Sequence, residues 1–162
     1  MEQLVVRRAG PIDAAAMFRL VNEIRAAFGT EAIVDPLPAE EIQRQIRLDR
    51  SVWHQAEDGR GDVLGIQWII PHSELGPRVA SIATVTKVGR TGLRVGSALF
   101  ERTERAARDL GYAWINAEIR ADNRSGLIYY QSRGFEDWGK KVQVSLDDGS
   151  VVDKIFKRYE LR

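Results

Sequence analysis

The stretch from Val79 to Arg120 limits the possible folds more than any other part of the chain. It begins with Val79–Val88, a run rich in β-branched residues that is typical of a central strand. An amphipathic helical pattern follows, and Trp114–Arg120 then has the pattern of a second strand. Two strands joined through a helix run parallel, because the crossover returns the chain to the same end of the sheet. The sequence therefore predicts a parallel pair within the sheet.

The other segments have the patterns of shorter strands and helices, without repeats or low-complexity tracts. The predicted strands are Leu4–Arg7, Val52–Ala56, Val63–Ile70, and a last hairpin of Phe135–Leu146 with Val151–Tyr159, while helices are predicted to begin near Pro11 and Pro38 and to cover Asn123–Arg133. We expect an α+β fold, with a mixed, mostly antiparallel central sheet of about seven strands flanked by about four helices. The length of 162 residues suits a single domain over 1–162.

Composition excludes several classes of function. The chain has no cysteine, which rules out disulfides, thiolate metal sites and a cysteine nucleophile. Its two histidines, His54 and His72, are far apart in sequence, so we expect no metal centre. The net charge of +1 argues against a nucleic-acid partner. Without an apolar run of membrane-spanning length or a signal-peptide pattern, we expect a cytoplasmic protein with no membrane association.

The segment Gly89–Gly96 places glycines between the central strand and the helix. Glycines let the backbone approach a ligand closely, and the free amides of a first helical turn favour an anion. Arg90 and Arg94 add positive charge at the same place. Taken alone, the segment is as compatible with a structural turn as with a phosphate site. A kinase-type phosphate loop is excluded because no Gly-Lys-Ser/Thr follows, and the glycine spacing does not fit a dinucleotide fingerprint.

A second block, Asp122–Phe135, follows one strand later. It contains Asn123, Tyr130 seven residues on, and Gly134-Phe135 four residues after that. With the glycine-bearing loop, this spacing resembles the GNAT superfamily of acyl-CoA-dependent N-acyltransferases. The opening Val5-Val6-Arg7-Arg8-Ala9 is also similar to the first strand of that family. The resemblance covers nearly the whole chain and is nearest to the subgroup that acetylates small amines such as phosphinothricin. It implies a GNAT-like fold with acetyl-CoA as the acyl donor.

Carried over position by position, the resemblance implies a set of residues that bind acetyl-CoA. Thr86 would bond the pantetheine arm through its backbone, and Asn123 would contact the cofactor, cap the following helix, or do both. Amides of the loop and first helical turns would hold the pyrophosphate; these belong to Thr91, Gly92, Leu93, Arg94, Val95, Gly96 and Ser97. The loop departs from the family pattern, since Arg94 stands where glycine is usual and Thr91 where arginine or glutamine is usual.

Acyl transfer from a thioester to an amine also needs a proton for the departing thiolate and stabilisation of the tetrahedral oxyanion. Tyr130 is the candidate acid, because its hydroxyl can donate and stays protonated at neutral pH. The resemblance to the family implies Tyr130 by its spacing, and we interpret the adjacent Tyr129 as a core residue. By analogy with the family, the oxyanion donor is a backbone amide within residues 85–87.

The general base is not evident from the sequence. Glu118 on the strand after the helix is a candidate, although an exposed or paired strand glutamate is the more ordinary interpretation. Loop residues that could border the acceptor are Glu31, Asp35, His72 and Glu74. We expect the acceptor pocket to involve the segment Phe28–Pro38 and the loop after Ile70. Tryptophans at strand positions, Trp53, Trp68 and Trp114, are more often core residues, and Trp138 could face either way.

The resulting expectation is an N-acetyltransferase that moves an acetyl group from acetyl-CoA to a primary amine of a small molecule by direct attack in a ternary complex. Two alternatives remain open from the sequence. One is an acetyltransferase directed at protein lysines or N-termini, and the other is a non-catalytic domain that senses acyl-CoA. The sequence also allows a homodimer, to which the last hairpin could contribute.

Overall fold

A computed structural model describes residues 3–28, 37–87, 92–146 and 149–161. Its elements, in chain order, are β1 (Val5–Arg8), a 3-10 turn (Pro11–Asp13), α1 (Ala14–Phe28), α2 (Ala39–Ile46), β2 (Val52–Glu57), β3 (Val63–His72), β4 (Gly76–Thr86), α3 (Gly92–Asp109), β5 (Trp114–Arg120), α4 (Arg124–Ser132), β6 (Glu136–Ser145) and β7 (Val151–Glu160). Within these ranges, no helix is both long enough and apolar enough to span a membrane.

The seven strands found in the described part of the chain form one sheet, in the order β1-β2-β3-β4-β5-β7-β6. Strands β4 and β5 run parallel, and every other neighbouring pair is antiparallel. The parallel crossover through α3 and the α+β class are therefore confirmed. The crossover also places the start of α3 near the ends of β4 and β5, which positions the candidate site.

Consecutive side chains of β2 and β3 are buried on both faces of the sheet, and helices accordingly cover both faces. On one face, α1 and α2 pack over a cluster that includes the stacked rings of Trp53 and Trp68, with centroids 4.2 Å apart. On the other face, α3 and α4 cover Ile82, Ile115 and Ile119. The expectation that Trp53 and Trp68 are core residues is confirmed.

Two predicted boundaries were wrong. Gly76-Pro77 was expected to separate two strands, but it begins β4, and the turn lies at Ser73–Leu75. Gly76 has a φ of +102°, which glycine adopts without strain, and a proline is tolerated at the start of a strand, where its missing N–H is least needed. The predicted loop extended to Gly96, whereas α3 already begins at Gly92.

Candidate active site

Strands β4 and β5 separate before they end, and this split is the starting point for the site. Their pairing covers Val79–Ile82 against Trp114–Ala117, although β4 continues to Thr86 and β5 to Arg120. Over the same stretch β4 stays paired with β3, and β5 stays paired with β7. The split therefore lies inside the sheet, between two strands that are each held on their far side.

The backbone of β4 offers hydrogen-bonding groups to this split. The amide of Lys87 donates to Leu64 of β3, at 2.7 Å. Successive residues of a strand direct their backbone groups to opposite sides, so Thr86 and Thr84 direct theirs toward β5, past the end of the pairing. Of the residues 85–87 expected to supply the oxyanion donor, the alternation leaves Thr86 facing the split. The same geometry suits the predicted backbone contact of Thr86.

The first turn of α3 lies beyond the end of β4. The first-turn amides of α3, which begins at Gly92, are those of Gly92, Leu93 and Arg94, at the positive end of the helix dipole. Val95, Gly96 and Ser97 lie further along the helix, and their predicted pyrophosphate contacts stay predictions. Thr91, together with Gly89 and Arg90, lies outside the described residues.

Gly96 has a packing role that the loop interpretation missed. A Cβ at this position would lie 2.6 Å from Cε1 of Tyr129, too close for any side chain. The Tyr129 hydroxyl donates to the Gly96 carbonyl oxygen, at 2.7 Å. Gly96 is therefore needed where α3 meets α4. Tyr129 is partly buried against the core cluster, and its hydroxyl also binds α3 through this hydrogen bond. Burial raises the pKa of Tyr129 to about 12.

Tyr130 lies beside the split on the face covered by α3 and α4. Its ring packs against Phe135, with centroids 5.1 Å apart, and its side chain is buried. The hydroxyl lies 2.7 Å from Oγ1 of Thr84, two residues beyond the last paired residue of β4. Burial raises the pKa of Tyr130 well above its ordinary value, so the hydroxyl holds its proton at neutral pH. This placement fits a proton donor, and the catalytic role of Tyr130 stays a prediction.

Gln67 of β3 connects the two tyrosines. Its Nε2 donates to Oγ1 of Thr84, at 2.9 Å, and to the hydroxyl of Tyr129, at 3.0 Å. The side chain is fully buried, and its Oε1 has no protein partner among the described residues. Sequence reasoning missed Gln67; a buried amide inside the apolar run of β3 was the only signal, and its partners lie on other elements.

Asn123 caps α4. Its Oδ1 accepts from the amide of Gly126, at 3.0 Å, and from the hydroxyl of Ser125, at 3.1 Å. The capping interpretation is confirmed, and the contact of Asn123 with a cofactor stays a prediction. The cap fixes the first turn of the helix that carries Tyr130.

A cavity of about 490 Å³ lies on the opposite face of the sheet, at the same strand junction. Its lining residues are Ile70, Pro71, His72, Ser73, Glu74, Leu75, Ser81, Asn116, Glu118, Trp138, Lys141 and Phe156. The loop after Ile70 borders this cavity, as expected. Of the segment Phe28–Pro38, residues 29–36 lie outside the described residues, as do Glu31 and Asp35.

Glu118 is placed where the cavity meets the split. It is one residue beyond Ala117, the last residue of β5 that pairs with β4. Its carboxylate lies 3.4 Å from Nζ of Lys154, so it is a paired strand glutamate, and it also lines the cavity. His72 has a different role, because its Nδ1 accepts from the amides of Glu74 and Leu75, both at 3.0 Å.

An aromatic wall closes one side of the cavity. The indole Nε1 of Trp138 donates to Oδ1 of Asn116, at 2.9 Å, which fixes the ring over β5. Trp114 meets Trp138 edge-on, with centroids 5.7 Å apart, and Phe156 lies 5.3 Å from Trp138 on the same measure. The sequence left the orientation of Trp138 open; the structure directs it into the cavity.

Among the described residues, no group of three or more acidic or histidine side chains is arranged to hold a metal ion. No protein-family model matches the chain, and neither does any curated protein. Similarity is found among solved structures, and it extends over almost the entire chain.

Three of these structures illustrate the similarity. A GCN5-related N-acetyltransferase from Kribbella flavida is 26% identical, with a TM-score of 0.78 and 97% of each chain covered. A proposed acetyltransferase from Salmonella typhimurium, yncA, solved with acetyl-CoA, is 19% identical with a TM-score of 0.82, covering 98% of this chain and 94% of the other. A proposed phosphinothricin N-acetyltransferase is 22% identical, with a TM-score of 0.80 and 99% of each chain covered. The chain therefore has the fold of the GNAT acetyltransferases, which confirms the resemblance found in its sequence motifs.

Proposed function

We propose that this protein is an N-acetyltransferase that moves an acetyl group from acetyl-CoA to the primary amine of a small molecule. One observation carries the proposal. A protonated, buried tyrosine hydroxyl lies on one side of a split in the sheet, and a cavity containing a carboxylate lies on the other. Ile82 and Ala117, which pack with Tyr130, alternate with Ser81, Asn116 and Glu118, which line the cavity. The split thus connects the Tyr130 hydroxyl on one face of the sheet with the cavity on the other.

The split fits the pantetheine arm of acetyl-CoA. Pantetheine carries amide groups, and the backbone of Thr84 and Thr86 faces the split with both donors and acceptors. The pyrophosphate would lie at the start of α3, where the amides of Gly92, Leu93 and Arg94 and the positive end of the helix favour an anion. Asn123, which caps α4 just after the end of β5, is the further residue proposed to contact the cofactor.

The reaction proceeds by direct attack. The amine nitrogen forms a bond to the thioester carbonyl carbon, and the Thr86 amide stabilises the resulting oxyanion. The nitrogen of the tetrahedral intermediate gives up a proton to water, the carbon–sulfur bond breaks, and Tyr130 gives its proton to the thiolate. The products are the acetamide and free CoA. Tyr130 regains a proton from solvent after CoA leaves.

Glu118 is the group best placed to take the proton of an incoming ammonium. It lines the cavity and lies at the mouth of the split, whereas Nδ1 of His72 is occupied by two backbone amides. Lys154 holds the carboxylate in place from the neighbouring strand β7. A negative carboxylate also attracts a positively charged amine into the cavity.

The cavity supports a small acceptor. Its volume of about 490 Å³ lies within the range of small-molecule sites, roughly 300–1,000 Å³. A protein lysine or N-terminus would be better served by an open groove, and a pure sensor of acyl-CoA has no use for an acceptor cavity. We further propose that the protein acts in the cytoplasm, where acetyl-CoA and free amines meet; a homodimer is compatible with this function.

The test is an acetyl-CoA assay on a panel of primary amines, read by release of free thiol. We expect amine-dependent thiol release and stabilisation of the protein by CoA in thermal unfolding. A matched panel of peptides with free lysines or N-termini separates the protein-directed alternative. Stabilisation by CoA without turnover on either panel would instead support the sensor.

A further inference from the structure

The two buried hydrogen bonds that Gln67 of β3 makes with β4 and α4 have a direction that can be assigned, whereas either hydroxyl can donate in the Thr84–Tyr130 bond. An amide nitrogen has two protons and no free lone pair, so Gln67 donates in both of its bonds. Thr84 and Tyr129 therefore both accept from Gln67. The Tyr129 hydroxyl in turn donates a hydrogen bond to the Gly96 carbonyl oxygen, at 2.7 Å, so its proton is already engaged.

The other hydrogen bond of Gln67 leads through Thr84 to Tyr130. Thr84 has accepted one proton and still has its own to give, and the Tyr130 oxygen lies 2.7 Å away. If the Thr84 hydroxyl donates to the Tyr130 oxygen, the Tyr130 proton is not used in that bond and can be donated to another group. The Tyr130 ring packs against the rings of Phe135 and Tyr129. An acceptor for the Tyr130 proton would therefore lie in the split.

We propose that Gln67 and Thr84 are positioning residues that orient the Tyr130 hydroxyl, so that its proton points into the split. In this series of hydrogen bonds, Gln67 donates to Thr84, Thr84 donates to Tyr130, and Tyr130 donates to the departing thiolate. Without the Thr84 hydroxyl, the Tyr130 proton has no fixed direction. This inference rests on the proposed function, because it assigns a role in the same site.

The kinetic test uses Thr84→Val, which removes the hydroxyl with little change in shape, and Thr84→Ser, which keeps it. We expect Thr84→Val to lower kcat about tenfold, the effect of one hydrogen bond, with little change in the KM for acetyl-CoA. Thr84→Ser should recover most of kcat. Equal losses in both variants, or a loss confined to KM, would overturn the proposal.

A double-mutant cycle separates positioning from general damage. In a Tyr130→Phe background there is no hydroxyl to orient, so adding Thr84→Val should cost no further loss of kcat. The same holds for Gln67→Leu, with thermal unfolding recorded for each variant to identify those that fail to fold. If the two losses simply multiply, Thr84 acts independently of Tyr130 and the proposal is wrong.

A spectroscopic readout tests the inference without any turnover. The infrared C–O stretch of ring-labelled tyrosine differs between a phenol that accepts a hydrogen bond and one that donates. The Tyr130 band, identified by subtracting the Tyr130→Phe spectrum, should be that of an acceptor and should move in Thr84→Val. A donor band in the wild type would overturn the inference even if acetyl transfer is confirmed. An acceptor band in a protein without turnover would leave the hydrogen-bond direction standing and refute the proposed function.

Discussion

Tyr129 joins α4 to the first turns of α3 through Gly96. Its hydroxyl donates to the Gly96 carbonyl, at 2.7 Å, and its ring occupies the space in which a Cβ of residue 96 would lie. The contact holds the helix that carries Tyr130 against the helix whose start faces the split. We therefore treat Gly96 and Tyr129 as one structural unit, distinct from the reacting groups.

Gly96→Ala should destabilise the protein. Alanine is the better helix former by about 1 kcal/mol, but its Cβ would meet a fixed aromatic ring at 2.6 Å. Overpacking of this kind costs about 1–3 kcal/mol, so the net change should be a loss of stability in urea unfolding. Gly10→Ala is the matched control, because a Cβ there meets nothing within 4 Å. Stability equal to the wild type in Gly96→Ala would contradict the close packing.

Tyr129→Phe should affect stability more than chemistry. The substitution removes the bond to Gly96 and leaves one Gln67 proton without an acceptor, at a cost of about 1–3 kcal/mol. Since the Tyr129 proton is committed to Gly96, kcat measured below the unfolding range should fall far less than in Tyr130→Phe. The reverse order of effects on kcat would show that the acid had been assigned to the wrong tyrosine.

Glu118→Gln should lower kcat/KM by about 10²–10⁴-fold at neutral pH, the usual contribution of a general base. The deficit should shrink as the pH approaches the pKa of the acceptor amine, because the amine then loses its proton unaided. Glu101→Gln, on the exposed side of α3, serves as the surface control. A deficit that stays constant with pH would mean that Glu118 binds the acceptor without taking its proton.

His54 should make the protein sensitive to acid. Burial and the nearby Arg102 and Arg8 lower the pKa of His54 from 6.5 to about 4. Between these values the unfolded chain binds a proton that the folded chain does not, so stability is full above pH 6.5 and falls as the pH drops toward 4. The loss can reach about 3 kcal/mol.

Urea unfolding across that pH range checks this prediction. His54→Gln should remove most of the decline between pH 6.5 and 4, whereas His72→Gln should retain it. A decline of unchanged size in His54→Gln would place the acid sensitivity on the carboxylates instead.

The fold could be predicted because it depends on local patterns. The β-α-β order of Val79–Arg120 fixes the parallel pair. The family resemblance of Asn123, Tyr130 and Gly134 names one tyrosine as the candidate acid, and that role stays a prediction. The network around Tyr130 could not be predicted in this way. Gln67 lies 62 residues from Tyr129, and Thr84 lies 46 residues from Tyr130, so only the folded chain brings them together.

The role of Gly96 also could not be predicted from local sequence. A glycine near the start of a helix that follows a strand indicates a ligand loop when local sequence alone is considered. Its partner, Tyr129, lies 33 residues away on another helix. A glycine required by packing and a glycine required by phosphate have the same local signature, and the distinction depends on the tertiary neighbour.

The most direct test of the account is thiol release by the wild type and Tyr130→Phe, side by side, at saturating acetyl-CoA and with an amine accepted by the wild type. Tyr130→Phe should fold, should bind CoA with wild-type affinity, and should turn over about 10²–10⁴-fold more slowly, because the thiolate has lost its proton donor. Turnover at the wild-type rate would contradict the central claim that Tyr130 protonates the leaving thiolate.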